Sequence, residues 1–179
     1  MCEAAPAAGD GSVGSSSTVP SESLISEGYS VVRLKYLPDG DETGNLYYLY
    51  SDGTCTFIPH APADFTFKGR WDAKYLGPGD PPGSGKFLIT FYDVSKDHNY
   101  GNWDCVDIPS TQEITLTIKD MSAYRAGQPD VAASFDKAPF THKAEAGTKC
   151  PDTALAVGTE LKLIMLSGSS SGSSESDLL

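Results

Sequence analysis

The chain has 179 residues, a formal net charge of −11 and 39% hydrophobic residues, which fits one domain with tails and enough apolar material for a core. Its 13 Lys and Arg against 24 Asp and Glu exclude a basic face for nucleic-acid phosphates and disfavour an anionic membrane surface. No apolar run approaches the roughly 18 residues of a membrane-spanning helix.

Residues 1–23 are rich in Ser, Gly, Pro and Ala and poor in large apolar groups, so they read as a disordered tether. A folded unit is expected over 24–166, and a flexible Ser/Gly tail over 167–179. Inside the unit the dominant period is two, the period of strands. In VVRLKY, Val32, Leu34 and Tyr36 alternate with Arg33 and Lys35. NLYYLY is apolar on both faces, so that strand is expected to be covered on both sides. Asp52-Gly53 separates it from TCTFI, and this dipeptide suits a two-residue hairpin. Cys55 alternates with Thr54 and Thr56 and is expected to face inward. In FTFKGRW, Phe65, Phe67 and Trp71 share a face with Gly69; in KFLITFY, Phe87, Ile89 and Phe91 do the same. EITLTIK alternates through Ile114, Leu116 and Ile118. DMSAYRAGQPDVAASF holds at most one helical turn before Gly127 and Pro129. The last strand alternates through Leu161, Leu163 and Met165. Seven or more strands separated by Gly, Pro, Asp and Asn define an all-β, antiparallel class, closed as a barrel or paired as a β-sandwich.

GPGDPPGSGKF imitates a phosphate-binding loop, but the imitation fails where chemistry needs it. Asp80 stands at the first Gly position and Phe87 at the Mg²⁺-binding hydroxyl position. An alternating strand follows Lys86, so no helix N-terminus faces an anion. The segment reads as a Pro/Gly-rich connection between two antiparallel strands, placing the strand of Trp71 beside that of Ile89.

The run LYYLYSDGTCTF, FTFKGRWDAKYL, turn, KFLITFYDV resembles small lipocalin-like domains of bacterial surface lipoproteins over about 45 residues. Asp52-Gly53-Thr54, Gly69 with Trp71, and Leu88 to Thr90 carry the resemblance. The first strand, VVRLKY, departs from it, lacking the Gly-x-Trp that lipocalins carry there. The resemblance implies an up-and-down antiparallel barrel with an interior ligand site. Met1-Cys2 followed by the polar tether also resembles a mature lipoprotein, with Cys2 the lipidated residue. An extracytoplasmic location, cell-surface or secreted, is the corresponding expectation, and a cytoplasmic one is the alternative.

Candidate sites follow from side-chain chemistry. Tyr48, Phe67, Trp71, Ile89 and Phe91 are the strand residues expected to contact a small apolar ligand. Tyr100 and Trp103, in the polar segment HNYGNWDC, are candidates for contact with a ligand, a surface protein or a glycan. The four cysteines, Cys2, Cys55, Cys105 and Cys150, permit three connectivities; no Cys-x-x-Cys occurs, and the turn-rich settings of Cys105 and Cys150 favour their pairing. His60, His98 and His142 lie in connections at spacings unsuited to a metal, and no Ser sits in a nucleophile elbow. Neither a catalytic set nor a cofactor is expected. Two acidic groups, Asp39, Asp41, Glu42 with Asn45, and Asp93, Asp97, Asp104 with Asp107, offer hard oxygen ligands without an EF-hand pattern. A structural or adhesin-like, carbohydrate-binding sandwich without a cavity is the alternative function.

Overall fold

The protein is described by a computed structural model that covers residues 21–36, 44–61, 66–96, 110–137 and 159–168. Eight strands follow one another: β1 (Val31–Tyr36), β2 (Gly44–Tyr50), β3 (Thr54–Ala61), β4 (Phe67–Pro78), β5 (Gly85–Lys96), β6 (Gln112–Ile118), β7 (Val131–Phe135) and β8 (Glu160–Leu166). Each pairs antiparallel with its sequence neighbour, and β8 pairs with β1. The result is a closed up-and-down barrel, so the sandwich alternative is not what forms.

Local chemistry explains the turns. Asp52 accepts hydrogen bonds from the backbone N–H and hydroxyl of Thr54 at 2.9 and 2.6 Å, and Gly53 takes φ +84°. The phosphate-loop mimic is the turn of the β4–β5 hairpin, which pairs from Phe67↔Lys96 to Pro78↔Gly85 with register shifts between Lys68 and Arg70 and between Tyr75 and Gly77. Gly83 there takes φ +90°, a conformation glycine reaches without steric cost.

The eighth strand, β7, is the one the sequence hides. A short helix, α1 (Met121–Arg125), is N-capped by the Asp120 carboxylate, which accepts from Ala123 N–H at 2.9 Å. Gly127 and Asp130, both at positive φ, then redirect the chain into VAASF. Its small Ala132, Ala133 and Ser134 leave little alternation to read.

Away from the outer face of β1–β3, the strands alternate apolar-in and polar-out. Val32, Leu34, Tyr47, Leu49, Phe57, Phe67, Phe87, Ile89, Phe91, Ile114, Leu116, Phe135 and Leu163 all join one buried cluster. On β4 the outward Lys68, Arg70, Asp72 and Lys74 are exposed, the reverse of a lipid-facing wall.

Followed at right angles to the strands, the pairing returns to β1 displaced by about 12 residues. With a rise of about 3.3 Å and a spacing of about 4.8 Å, that stagger tilts the strands by about 45° and sets a radius of about 9 Å. A stagger of only about eight residues would give a radius of about 7.5 Å. The barrel is therefore of the wider eight-stranded kind.

Candidate functional site

The two ends of the barrel differ. One end is shut by described residues. Residues 22–30 cross beneath it and insert Leu24 and Ile25 into the core cluster, where α1 contributes Met121 and Tyr124. The Tyr124 hydroxyl donates to the Leu24 carbonyl at 2.7 Å. Arg125 Nη2 donates to Glu22 Oε2 at 2.6 Å. Ser30 N–H donates to the Leu166 carbonyl at 2.9 Å, fixing the segment to the end of β8. At the same end Trp71 Nε1 donates to the Tyr50 carbonyl at 2.9 Å. The strand ends joined by segments 37–43, 62–65, 97–109 and 138–158 all lie at the opposite rim.

The lumen is lined by aromatic rings. Tyr47 stacks on Phe57 with centroids 4.6 Å apart, Phe57 stacks on Phe67 at 5.8 Å, and Phe135 meets Tyr47 edge-on at 5.5 Å. Toward the shut end Tyr75 packs on Phe87 at 5.0 Å. A polar pair interrupts this surface: buried Asn45 hydrogen-bonds with the Tyr47 hydroxyl. Burial pushes the Tyr47 and Tyr124 hydroxyl pKa values well above the usual tyrosine range. Cys55 also faces inward as a free thiol; burial pushes its pKa up to about 12, against a smaller opposing effect of its hydrogen bond with the Gly69 backbone.

Of the expected strand contacts, Phe67, Ile89 and Phe91 lie in the lumen, fully buried, and Trp71 lies on the same face, half-buried. Tyr48 does not join them. A one-residue step from Tyr47 turns it to the outer wall, where it forms a separate cluster with Val31 and Ile58. β2 is thus covered on both faces, as its unbroken apolar run requires. Tyr100, Trp103, Cys2, Cys105 and Cys150 lie outside the described residues, as do His98, His142, Asp39, Asp41, Glu42, Asp97, Asp104 and Asp107. Among the described residues no three His, Cys, Asp or Glu side chains converge on a point that would hold a metal.

Sequence reading missed Leu24, Ile25, Met121 and Tyr124, which shut the barrel. Their only signal is a pair of large apolar residues inside the Ser/Glu-rich SESLISEGYS, and two more in a five-residue helix. Comparison of the chain with protein-family models, curated proteins and solved structures found no match to any of them.

Proposed function

We propose that this chain is a non-enzymatic, extracytoplasmic binding domain that holds a small apolar ligand in its barrel. The observation that carries the reading is the asymmetry of a wide barrel, shut at one end by Leu24, Ile25, Met121 and Tyr124 and lined by aromatic rings above. A fixed floor with apolar walls supports a cup rather than a channel. Asn45 and Tyr47 supply one polar station, enough to orient a ligand that carries a single hydrogen-bonding group. The tether and Cys2 fit attachment to a membrane through lipid alone, and intact mass tests it: a mass increase of acyl-chain size on the native protein supports lipidation, and an unmodified Cys2 rejects it.

A second reading, an interaction barrel with a filled lumen, is favoured by the continuous stack of Tyr47, Phe57 and Phe67. Titration with cis-parinaric acid separates the two. The cup predicts saturable fluorescence enhancement that Ile89→Trp, which overfills the lumen, abolishes while the barrel stays folded by circular dichroism. The filled barrel predicts no saturable uptake by either form.

A further inference from the structure

Among the described residues, the long strand β4 is paired on its β3 side over only part of its length. β3 pairs with β4 only where Thr54–Phe57 meets Phe67–Arg70. Trp71 N–H then donates to the Gly53 carbonyl at 2.9 Å, and beyond it the Ser51–Gly53 turn leads back to β2. β4 continues to Pro78 with β5 on one side and, among the described residues, no strand on the other. Since Trp71 directs its N–H to this edge, alternation directs the backbone groups of Ala73 and Tyr75 there too. Ala73 N–H is held by the exposed Asp72 carboxylate at 2.9 Å. The Ala73 carbonyl and both backbone groups of Tyr75 face outward along the edge.

Side chains mark the same stretch. Trp71, Ala73 and Tyr75 are only half-buried, although their β5 partners Phe91, Ile89 and Phe87 are fully buried. The lack of a β3 neighbour among the described residues accounts for that difference. Leu76, 44% exposed, is the exposed large hydrophobic residue among those described, and it sits on this strand. On the outer face Arg70, Lys74 and Lys86 are exposed, and the acid between them, Asp72, is the one engaged with Ala73.

We infer that the β4 edge from Asp72 to Leu76 is a docking site for an extended partner peptide with apolar residues at alternate positions and carboxylates between them. Ladder groups that meet no strand among the described residues select an extended backbone, and the half-buried aromatic face selects apolar side chains at every second position. Lys74 and Arg70 select carboxylates on the other face. The net charge of −11 opposes acidic partners at long range, but screening over about 8 Å leaves local cations in control. A second copy fits the edge poorly. The antiparallel register that would set Asp72 opposite Lys74 of the second copy drives its Tyr75 into the position opposite Trp71, which Gly53 already occupies. The next register places Lys74 against Lys74, a repulsive pair.

The test is a titration of the full chain with the synthetic peptide acetyl-Thr-Val-Glu-Val-Glu-Val-Thr-amide, followed by amide NMR shifts. The expected result is saturable binding with shifts centred on Ala73 to Gly77, lost when alternate peptide amides are N-methylated. Ala73→Pro puts a ring on the docking edge in place of the N–H that Asp72 holds, blocks close approach of a paired strand there without touching the β5 ladder, and should weaken binding by about tenfold or more. Lys74→Glu should reverse the preference between the Glu peptide and its Lys counterpart, which keeps the inference testable if Ala73→Pro fails to fold. Shifts elsewhere, or binding unaffected by both substitutions, overturn it. So does a wild-type dimer that Ala73→Pro dissociates, which would make a second copy the occupant. Protection of the Tyr75 amide in the free protein that disappears on deleting residues 1–20 overturns it as well, since the chain would then cover its own edge.

Discussion

Gly69 is where a single residue constrains the wall most tightly. A Cβ there would stand 2.8 Å from Val94 Cγ2 and 3.0 Å from the Tyr92 carbonyl, at the bulge between β4 and β5. The carbonyl is backbone and yields little. Gly69→Ala is expected to destabilise by about 1–3 kcal/mol in urea unfolding; an unchanged midpoint would show that the bulge relaxes freely. Cys55, opposite Gly69, gives a second residue-scale prediction. Its folded pKa of about 12 lies above the ordinary thiol value, so the unfolded chain loses this proton first as pH rises. The stability contribution is fully present below the ordinary thiol pKa and is lost as pH climbs toward 12, in the same direction as for Tyr47 and Tyr124. Native protein at pH 8 should therefore react with a thiol reagent at Cys55 only as fast as the barrel opens, and unfolding midpoints should fall steadily above about pH 9. Prompt labelling of Cys55 in the native state would contradict its placement. Such residues were partly legible in advance. The inward turn of Cys55 follows from its alternation with threonines, whereas the need for glycine at 69 depends on a bulge that no local pattern announces.

At the scale of elements, what shuts the barrel decides most. Leu24 lies at its floor, and the Tyr124 hydroxyl holds the Leu24 carbonyl. Leu24→Ala is expected to cost about 2–4 kcal/mol, as a buried leucine truncation does. Tyr124→Phe is expected to cost about 1 kcal/mol by leaving that carbonyl without its donor. Arg125→Ala, an exposed ion pair with Glu22, should cost well under 1 kcal/mol. Thermal and urea unfolding check the order; an Arg125→Ala effect as large as that of Leu24→Ala would mean the segment is held by charge instead. The sequence made seven of the eight strands readable, because β-branched and aromatic residues alternate in them with Thr, Lys and Arg. It concealed β7, whose VAASF is too small-featured, and the floor segment, whose two anchors sit among serines and glutamates. Hairpin neighbours could be paired from turn residues such as Asp52-Gly53. The pairing of β1 with β8 could not, since it joins positions more than a hundred residues apart through no local signal.

For the whole molecule, closure and stagger convert these strands into a wide barrel with one floor. The face assignments follow from that geometry: Phe67, Ile89 and Phe91 inside, Tyr48 outside with Val31 and Ile58. Val31, Tyr48 and Ile58 are 0, 4 and 3% exposed, so charge introduced on the outer wall at Ile58 should destabilise the fold without altering uptake into the lumen, as measured by unfolding and by probe titration in parallel. The most direct test of the central claim is an intermolecular NOE experiment on the full chain saturated with cis-parinaric acid. The cup predicts contacts from the acyl chain to the ring protons of Phe67 and Phe91 and the methyls of Ile89, and none to Tyr48. Contacts confined to the outer wall, or no bound probe while those ring protons keep their folded-state shifts, would contradict it.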